Sequence, residues 1–145
     1  MKDKQIIVLM GGPSKEAEVS RRTGAAIAEA LVSKGYKAQT LELNPRTVLQ
    51  DIDSLGGEVV FNAIHGRYGE DGALQGLLEM AEIPYTGSGI MAHAVGMNKK
   101  VSKDVFKGAN IPTARSESYN GNLESAEAII DHIRKEFTIP VVVKS

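Results

Sequence analysis

The run Val59-Val60-Phe61-Asn62-Ala63-Ile64 passes directly into His65-Gly66-Arg67-Tyr68-Gly69-Glu70-Asp71-Gly72. An amphipathic segment, Ala73 to Glu82, follows, and then Pro84-Tyr85-Thr86-Gly87-Ser88-Gly89. A short run of six residues, apolar but for Asn62, predicts a buried strand, here Val59 to Ile64, and the 3.6-residue spacing after Gly72 predicts a helix with Leu74, Leu77, Leu78 and Ala81 inward. A strand that delivers a histidine, an arginine and two carboxylates into a glycine-punctuated loop places them at its carboxyl end. In open α/β sheets that end is where ligands bind. The alternative is a tight connection whose charges are simply solvated.

Moving outward, a similar unit opens the chain. Ile6-Ile7-Val8-Leu9-Met10 is a continuous apolar run, as expected of a strand covered on both faces. It ends in Gly11-Gly12-Pro13-Ser14-Lys15-Glu16, and Glu16 to Lys34 reads as a helix stopped by Gly35. Val19, Thr23, Ala26, Ile27, Ala30 and Leu31 form its expected inner face, and Ser14 or a neighbour its cap. Lys37 to Leu43 alternates as a strand, and Val48 to Leu55 predicts a short helix ended by Gly56-Gly57. Tyr85-Thr86 predicts a brief fourth strand, with a helical stretch from Ser88 to about Val95. Alternating strands and helices imply an α/β fold: an open parallel sheet flanked by helices, with right-handed crossovers.

The texture changes after residue 96, which divides the chain into an α/β domain, 1–96, and a second region, 97–145. Lys99, Lys100, Lys103 and Lys107 crowd a helical segment ending at Gly108. Ala114 to Tyr119 predicts a strand. Leu123, Ala126, Ile130, Ile133 and Phe137 share one helical stripe, and Ile139 to Lys144 predicts a final apolar strand. Such a strand needs partners on both edges, so the sequence reads as part of a longer protein or of an assembly.

The totals exclude several classes. The 145 residues are 42% hydrophobic and 24% charged, with a net charge of −1. That balance gives no electrostatic reason to bind nucleic acid or an anionic membrane. With no cysteine there is neither a disulfide framework nor a thiolate metal site. No apolar stretch approaches the roughly 20 residues of a membrane span, and the first apolar run is too short for a signal peptide. The expected location is the cytoplasm.

The chemistry-bearing candidates lie in the two loops. The first lacks both the G-x-G-x-x-G and the G-x-x-x-x-G-K-[ST] patterns. Backbone N–H groups at its helix N-terminus favour an anion such as a carboxylate, and Glu16 offers a carboxylate to an ammonium; together they suit a zwitterion. Glu16 and Glu18 also complement the helix dipole, which is reason enough for either to be present. His65 can orient a carboxylate or act as acid or base, or simply pack against a neighbouring loop. Glu70 and Asp71 read as loop and helix-start residues. His93 and His132 fall within helical stretches, as surface or packing residues. The three histidines lack metal-ligand spacing, so no metal site is expected on this stretch of sequence. Lys99 and Lys144 are candidate phosphate contacts. Lys99 competes with a solvated basic face, and Lys144 follows an apolar strand where an unpaired ammonium is costly.

In order and spacing these motifs resemble the D-alanine–D-alanine ligase family. The matching residues are Gly11-Gly12 with Ser14, Glu16 and Glu18-Val19-Ser20; His65-Gly66-Arg67 with Gly69-Glu70-Asp71-Gly72 and Gln75-Gly76; Pro84-Tyr85-Thr86-Gly87-Ser88, Met97, Lys99 and the run ending in Lys144. The resemblance covers essentially the whole chain but only the N-terminal half of such a ligase. It implies an ATP-grasp enzyme of peptidoglycan synthesis and cell shape that joins two D-alanines through a D-alanyl phosphate, using ATP and Mg. It implies that Glu16 and His65 are catalytic, and that Glu16, Val19, Ser20 and His65 bind substrate. Lys99 and Lys144 would contact ATP, residues 97–145 would open the central ATP-grasp domain, and the protein would be a homodimer. Asn98 departs from the family's usual aspartate and Ser145 from its usual proline. The acidic Mg ligands would lie beyond residue 145, so the chain alone is expected to be inactive. Alternatives are an inactive binding or dimerisation module, or a D-alanine–D-lactate-type ligase.

Overall fold

The computed structural model describes residues 2–144 and divides into two compact units, Met1–Val105 and Phe106–Ser145. In the first, β1 (Gln5–Met10) leads through α1 (Ala17–Ser33) to β2 (Lys37–Glu42), and then through α2 (Val48–Ser54) to β3 (Val59–Asn62). The three strands are parallel in the order β2-β1-β3. The expected fourth strand is a single parallel bridge, Val60 to Tyr85. It is held by Val60 N–H to Pro84 O at 2.8 Å and Thr86 N–H to Val60 O at 3.0 Å.

The apolar run of β1 is buried because the pleat sends alternate residues to opposite faces. Ile6 and Val8 pack with Ala63 beneath Ile27, Ala28 and Leu31 of α1. Ile7 and Leu9 join Val48 and Ile52 of α2, Val60, Ile64, and Leu74 and Leu78 of α3 (Ala73–Met80). Helices thus cover both faces of the sheet.

The inner face of α1 differs from the expected one. Its buried residues are Ser20 and Gly24, with Thr23, Ile27, Ala28 and Leu31 half-buried, whereas Val19, Ala26 and Ala30 are exposed. The reason is close approach: a β-carbon on Gly24 would stand 2.6 Å from Cβ of Met10. The helix lies against the sheet through its smallest residues. Glu16 holds the N-cap position without a side-chain cap, and the Ser14 hydroxyl accepts the Glu16 N–H at 3.1 Å. Gly35, at φ +78°, stops the helix as expected.

Two further helices follow, α4 (Ile90–Met97) and α5 (Lys99–Gly108). Asn98 Oδ1 accepts the Val101 N–H at 3.1 Å, the capping service that aspartate performs equally well. The Ser102 hydroxyl donates to Val95 O at 2.6 Å and ties α5 to α4.

In the second unit, α6 (Ala126–Glu136) is capped by Ser125, whose hydroxyl accepts the Ala128 N–H at 3.2 Å. Arg115 donates to Glu136 O and to Glu136 Oε2, both at 2.6 Å, and stacks on Phe137 at 4.8 Å. Neither Ala114 to Tyr119 nor Ile139 to Lys144 is a strand, contrary to expectation. A strand exists by pairing, and the described residues of this unit contain no strand for either to pair with. Val142 and Val143 are over four-fifths exposed, and Lys144 is exposed beside them. The desolvation argument for Lys144 therefore fails. Ser145 lies outside the described residues.

Candidate functional site

β1 and β3 are neighbours, with Leu9 opposite Asn62. The chain leaves β1 toward β2 on one side and leaves β3 toward Tyr85 on the other, so the loops after them open at a topological switch point. The two sequence-predicted loops converge there.

Three contacts build the junction. The Ser20 hydroxyl accepts the Gly11 N–H at 2.8 Å and donates to Ala63 O at 2.7 Å, fully buried. Nearer the rim, the Ser14 hydroxyl accepts the Glu16 N–H and donates to His65 O at 2.8 Å. Finally, Glu16 Oε2 lies 2.9 Å from the point a β-carbon on Gly66 would occupy. Glu16 and His65 therefore share one side of the molecule. The Glu16 carboxylate has no hydrogen-bond or ion-pair partner among the described residues, which leaves it available to a cation.

The second loop is shaped from below. Asn62 Nδ2 and Gln75 Nε2 both donate to Gly69 O, at 2.9 and 2.7 Å, while Asn62 Oδ1 accepts the Ile64 N–H at 3.0 Å. Gly66, at φ +71°, donates its N–H to Glu70 Oε2 at 2.9 Å. Asp71 Oδ1 accepts the Ala73 N–H at 3.1 Å, starting α3. Glu70 and Asp71 thus serve as loop and helix-start residues, as read from sequence.

The first loop is braced by Glu42, at the end of β2. Its Oε1 accepts from Gly12 N–H at 3.2 Å and Arg21 Nη2 at 2.7 Å, and its Oε2 from Arg21 Nε at 3.1 Å. The hydrogen-bonded Arg21 guanidinium, aided by the Gly12 N–H, holds the Glu42 carboxyl below its ordinary range against the opposing effect of burial. Nothing in the sequence marked Glu42, Arg21 or Asn62, and Gln75 stood out only as part of the Gln75-Gly76 motif, because their importance is the geometry of chain segments far apart in sequence.

Two clefts flank the second loop. One, of about 290 Å³, is lined by Asn62, His65, Glu70, Thr86 and His93 with Ile27 of α1. The other, of about 280 Å³, is lined by Glu70, Ser88, His93, Met97 and Lys99. Lys99 Nζ donates to Gly96 O at 3.0 Å. His93 lines both clefts, and its Nε2 is buried without a partner beside Gly87. A helical histidine gives no such signal in sequence. Val19 is 44% exposed, one turn beyond Glu16. Lys144 belongs to the second unit.

The profile described as "D-ala D-ala ligase N-terminus" matches residues 41–88, which contain β3, the His65–Gly72 loop and α3. Over nearly all of its length the chain is similar to the N-terminal part of D-alanine–D-alanine ligases. The D-alanine–D-alanine ligase of Methylocella silvestris is 46% identical over 141 residues, which are 97% of this chain and 43% of that protein. That of Geotalea uraniireducens is 45% identical over 144 residues, covering 99% and 44%. The crystal structure of D-alanine–D-alanine ligase from Bacillus anthracis superimposes with a TM-score of 0.71 at 30% identity, over 92% of this chain and 43% of that one. The same ligase complexed with ATP gives a TM-score of 0.71 at 26% identity, over 91% and 54%. The chain thus spans under half the length of these curated relatives. No described helix is long and apolar enough to cross a membrane.

Proposed function

We propose that this chain supplies the amino-acid cradle of an ATP-dependent D-alanine–D-alanine ligase acting in peptidoglycan synthesis. The observation that carries the reading is the meeting of Glu16 and the His65–Gly66 peptide around one point. An unpartnered carboxylate suits the ammonium of the first D-alanine, and Val19, exposed beside it, suits its methyl group. His65 serves the reacting carboxyl, as orienting group or proton carrier. Ser20 acts from beneath, tying the two strand tips. The reaction is carboxylate phosphorylation by ATP followed by attack of the second D-alanine's amine on the acyl phosphate; its demand is two zwitterions held in register and phosphoryl charge neutralised.

Lys99 fits an ATP role: among the described residues its ammonium donates to one acceptor, Gly96 O, which leaves protons for phosphate oxygens. Lys144 takes the second phosphate role by resemblance alone. The magnesium ligands, by the same resemblance, belong to a later part of the complete ligase. Residues 1–96 are the substrate domain and 97–145 the opening of the central ATP-grasp domain. The complete protein is a cytoplasmic homodimer, as the family resemblance implies, and the chain alone does not turn over.

The test is reconstitution with the C-terminal part of a relative such as the Methylocella silvestris ligase. D-alanine-dependent release of phosphate from ATP with D-alanyl-D-alanine formation is the expected result. Binding without turnover favours the inactive module, and depsipeptide from D-lactate favours the other ligase type.

A further inference from the structure

We infer that Ser14 is the positioning residue that sets the distance between the Glu16 carboxylate and the His65 peptide. This deepens the proposed function and rests on it. The Ser14 hydroxyl uses its one proton on His65 O at 2.8 Å and receives the Glu16 N–H at 3.1 Å. A hydroxyl has a single proton, so donating toward one strand tip commits its lone pairs to the other. The two bonds join segments 51 residues apart, and no other described side chain bonds to the backbone of both Glu16 and His65. Gly66 completes the clamp, for a β-carbon there would stand 3.4 Å from Cβ of Ser14 and 2.9 Å from Glu16 Oε2.

Ser20 makes the parallel link deeper in the fold, from Gly11 to Ala63. Its complete burial makes it part of the packing. Ser14 sits at the half-buried rim, where losing its hydroxyl leaves the core untouched. The rim link governs where Glu16 stands; the deep link governs whether the strand tips meet.

The experiment is an NMR titration of the isotope-labelled chain with D-alanine, following the amides of Glu16, His65 and Gly66. Ser14→Ala is expected to weaken D-alanine binding by roughly fivefold to tenfold, and Ser14→Thr, which keeps the hydroxyl, to retain most of it. In a Glu16→Gln background, Ser14→Ala is expected to cost nothing further, because it acts through Glu16. An unchanged affinity in Ser14→Ala, or an equal loss with and without Glu16, overturns the inference while the proposed function stands. A collapsed amide spectrum in Ser14→Ala makes the residue a folding requirement and overturns it too. Absence of saturable D-alanine binding by the unaltered chain overturns the proposed function itself, and the inference with it.

Discussion

The Glu16 carboxylate stands 2.9 Å from the position that a β-carbon on Gly66 would take, and Gly66 is held at φ +71°. Both facts oppose a side chain at 66. Gly66→Ala forces an L-residue into the left-handed region at a cost of about 1 kcal/mol, and also pushes Glu16 aside. The expected outcome is a modest fall in unfolding midpoint with a far larger loss of D-alanine affinity, on the order of tenfold to a hundredfold. Calorimetric titration beside thermal unfolding separates the two effects; a loss of affinity no larger than the loss of stability refutes the clamp.

Glu42 makes the glycine loop sensitive to acid. Its carboxyl is held low by the Arg21 hydrogen bonds, so the folded state binds the proton less readily than the unfolded chain. The sign follows: the stabilisation is complete above the ordinary glutamate value of about 4.3 and is lost as pH falls through the lower folded-state value. The pair is nearly half exposed, so the effect is small and salt-dependent. Glu42→Gln is expected to flatten the acid side of the stability–pH curve measured by urea unfolding between pH 3 and 6. Parallel curves for the two proteins exclude the pair as the cause.

Gly24 carries a prediction that hydrophobic patterning cannot make. A β-carbon there meets Cβ of Met10 at 2.6 Å, so Gly24→Val overpacks the α1–β1 contact. The expected loss is about 1–3 kcal/mol, read as a lower urea midpoint with unchanged slope. Val19→Ala, on the exposed side of the same helix, is expected to change stability by less than about 0.5 kcal/mol. Equal losses at the two positions contradict the observed packing face.

The same helix shows why part of the fold was legible and part was not. Continuous apolar runs such as Ile6 to Met10 announce buried strands, and glycines at their ends announce the loops. Those signals located the sheet, both glycine-punctuated loops and the helices between them. The inner face of α1 escaped because Ser20 and Gly24 are chosen for smallness and hydrogen bonding, which hydropathy does not register. Ile139 to Lys144 misled for the opposite reason: β-branched composition favours a strand, but pairing makes one. Glu16 and His65 stood out through their neighbours' spacing. Asn62, Gln75, Glu42 and His93 matter through contacts that only the folded chain creates.

The last prediction divides the two halves of the proposed chemistry. Glu16 is unpartnered and adjoins the His65 loop but lines neither cleft, whereas Lys99 lines a cleft with Ser88 and Met97. Glu16→Gln in the reconstituted ligase removes the charge that meets an ammonium but not the side chain's volume. It is expected to raise the KM for D-alanine by roughly tenfold or more and to leave the KM for ATP unchanged. Lys99→Ala removes a phosphate counter-charge and is expected to do the reverse, with Lys144→Ala acting in the same sense as Lys99→Ala. Steady-state kinetics with each substrate varied in turn decides the matter. If Glu16→Gln raises the KM for ATP as much as that for D-alanine, the carboxylate is not the ammonium's partner. In that case the cradle at the ends of β1 and β3 must hold something other than the first amino acid.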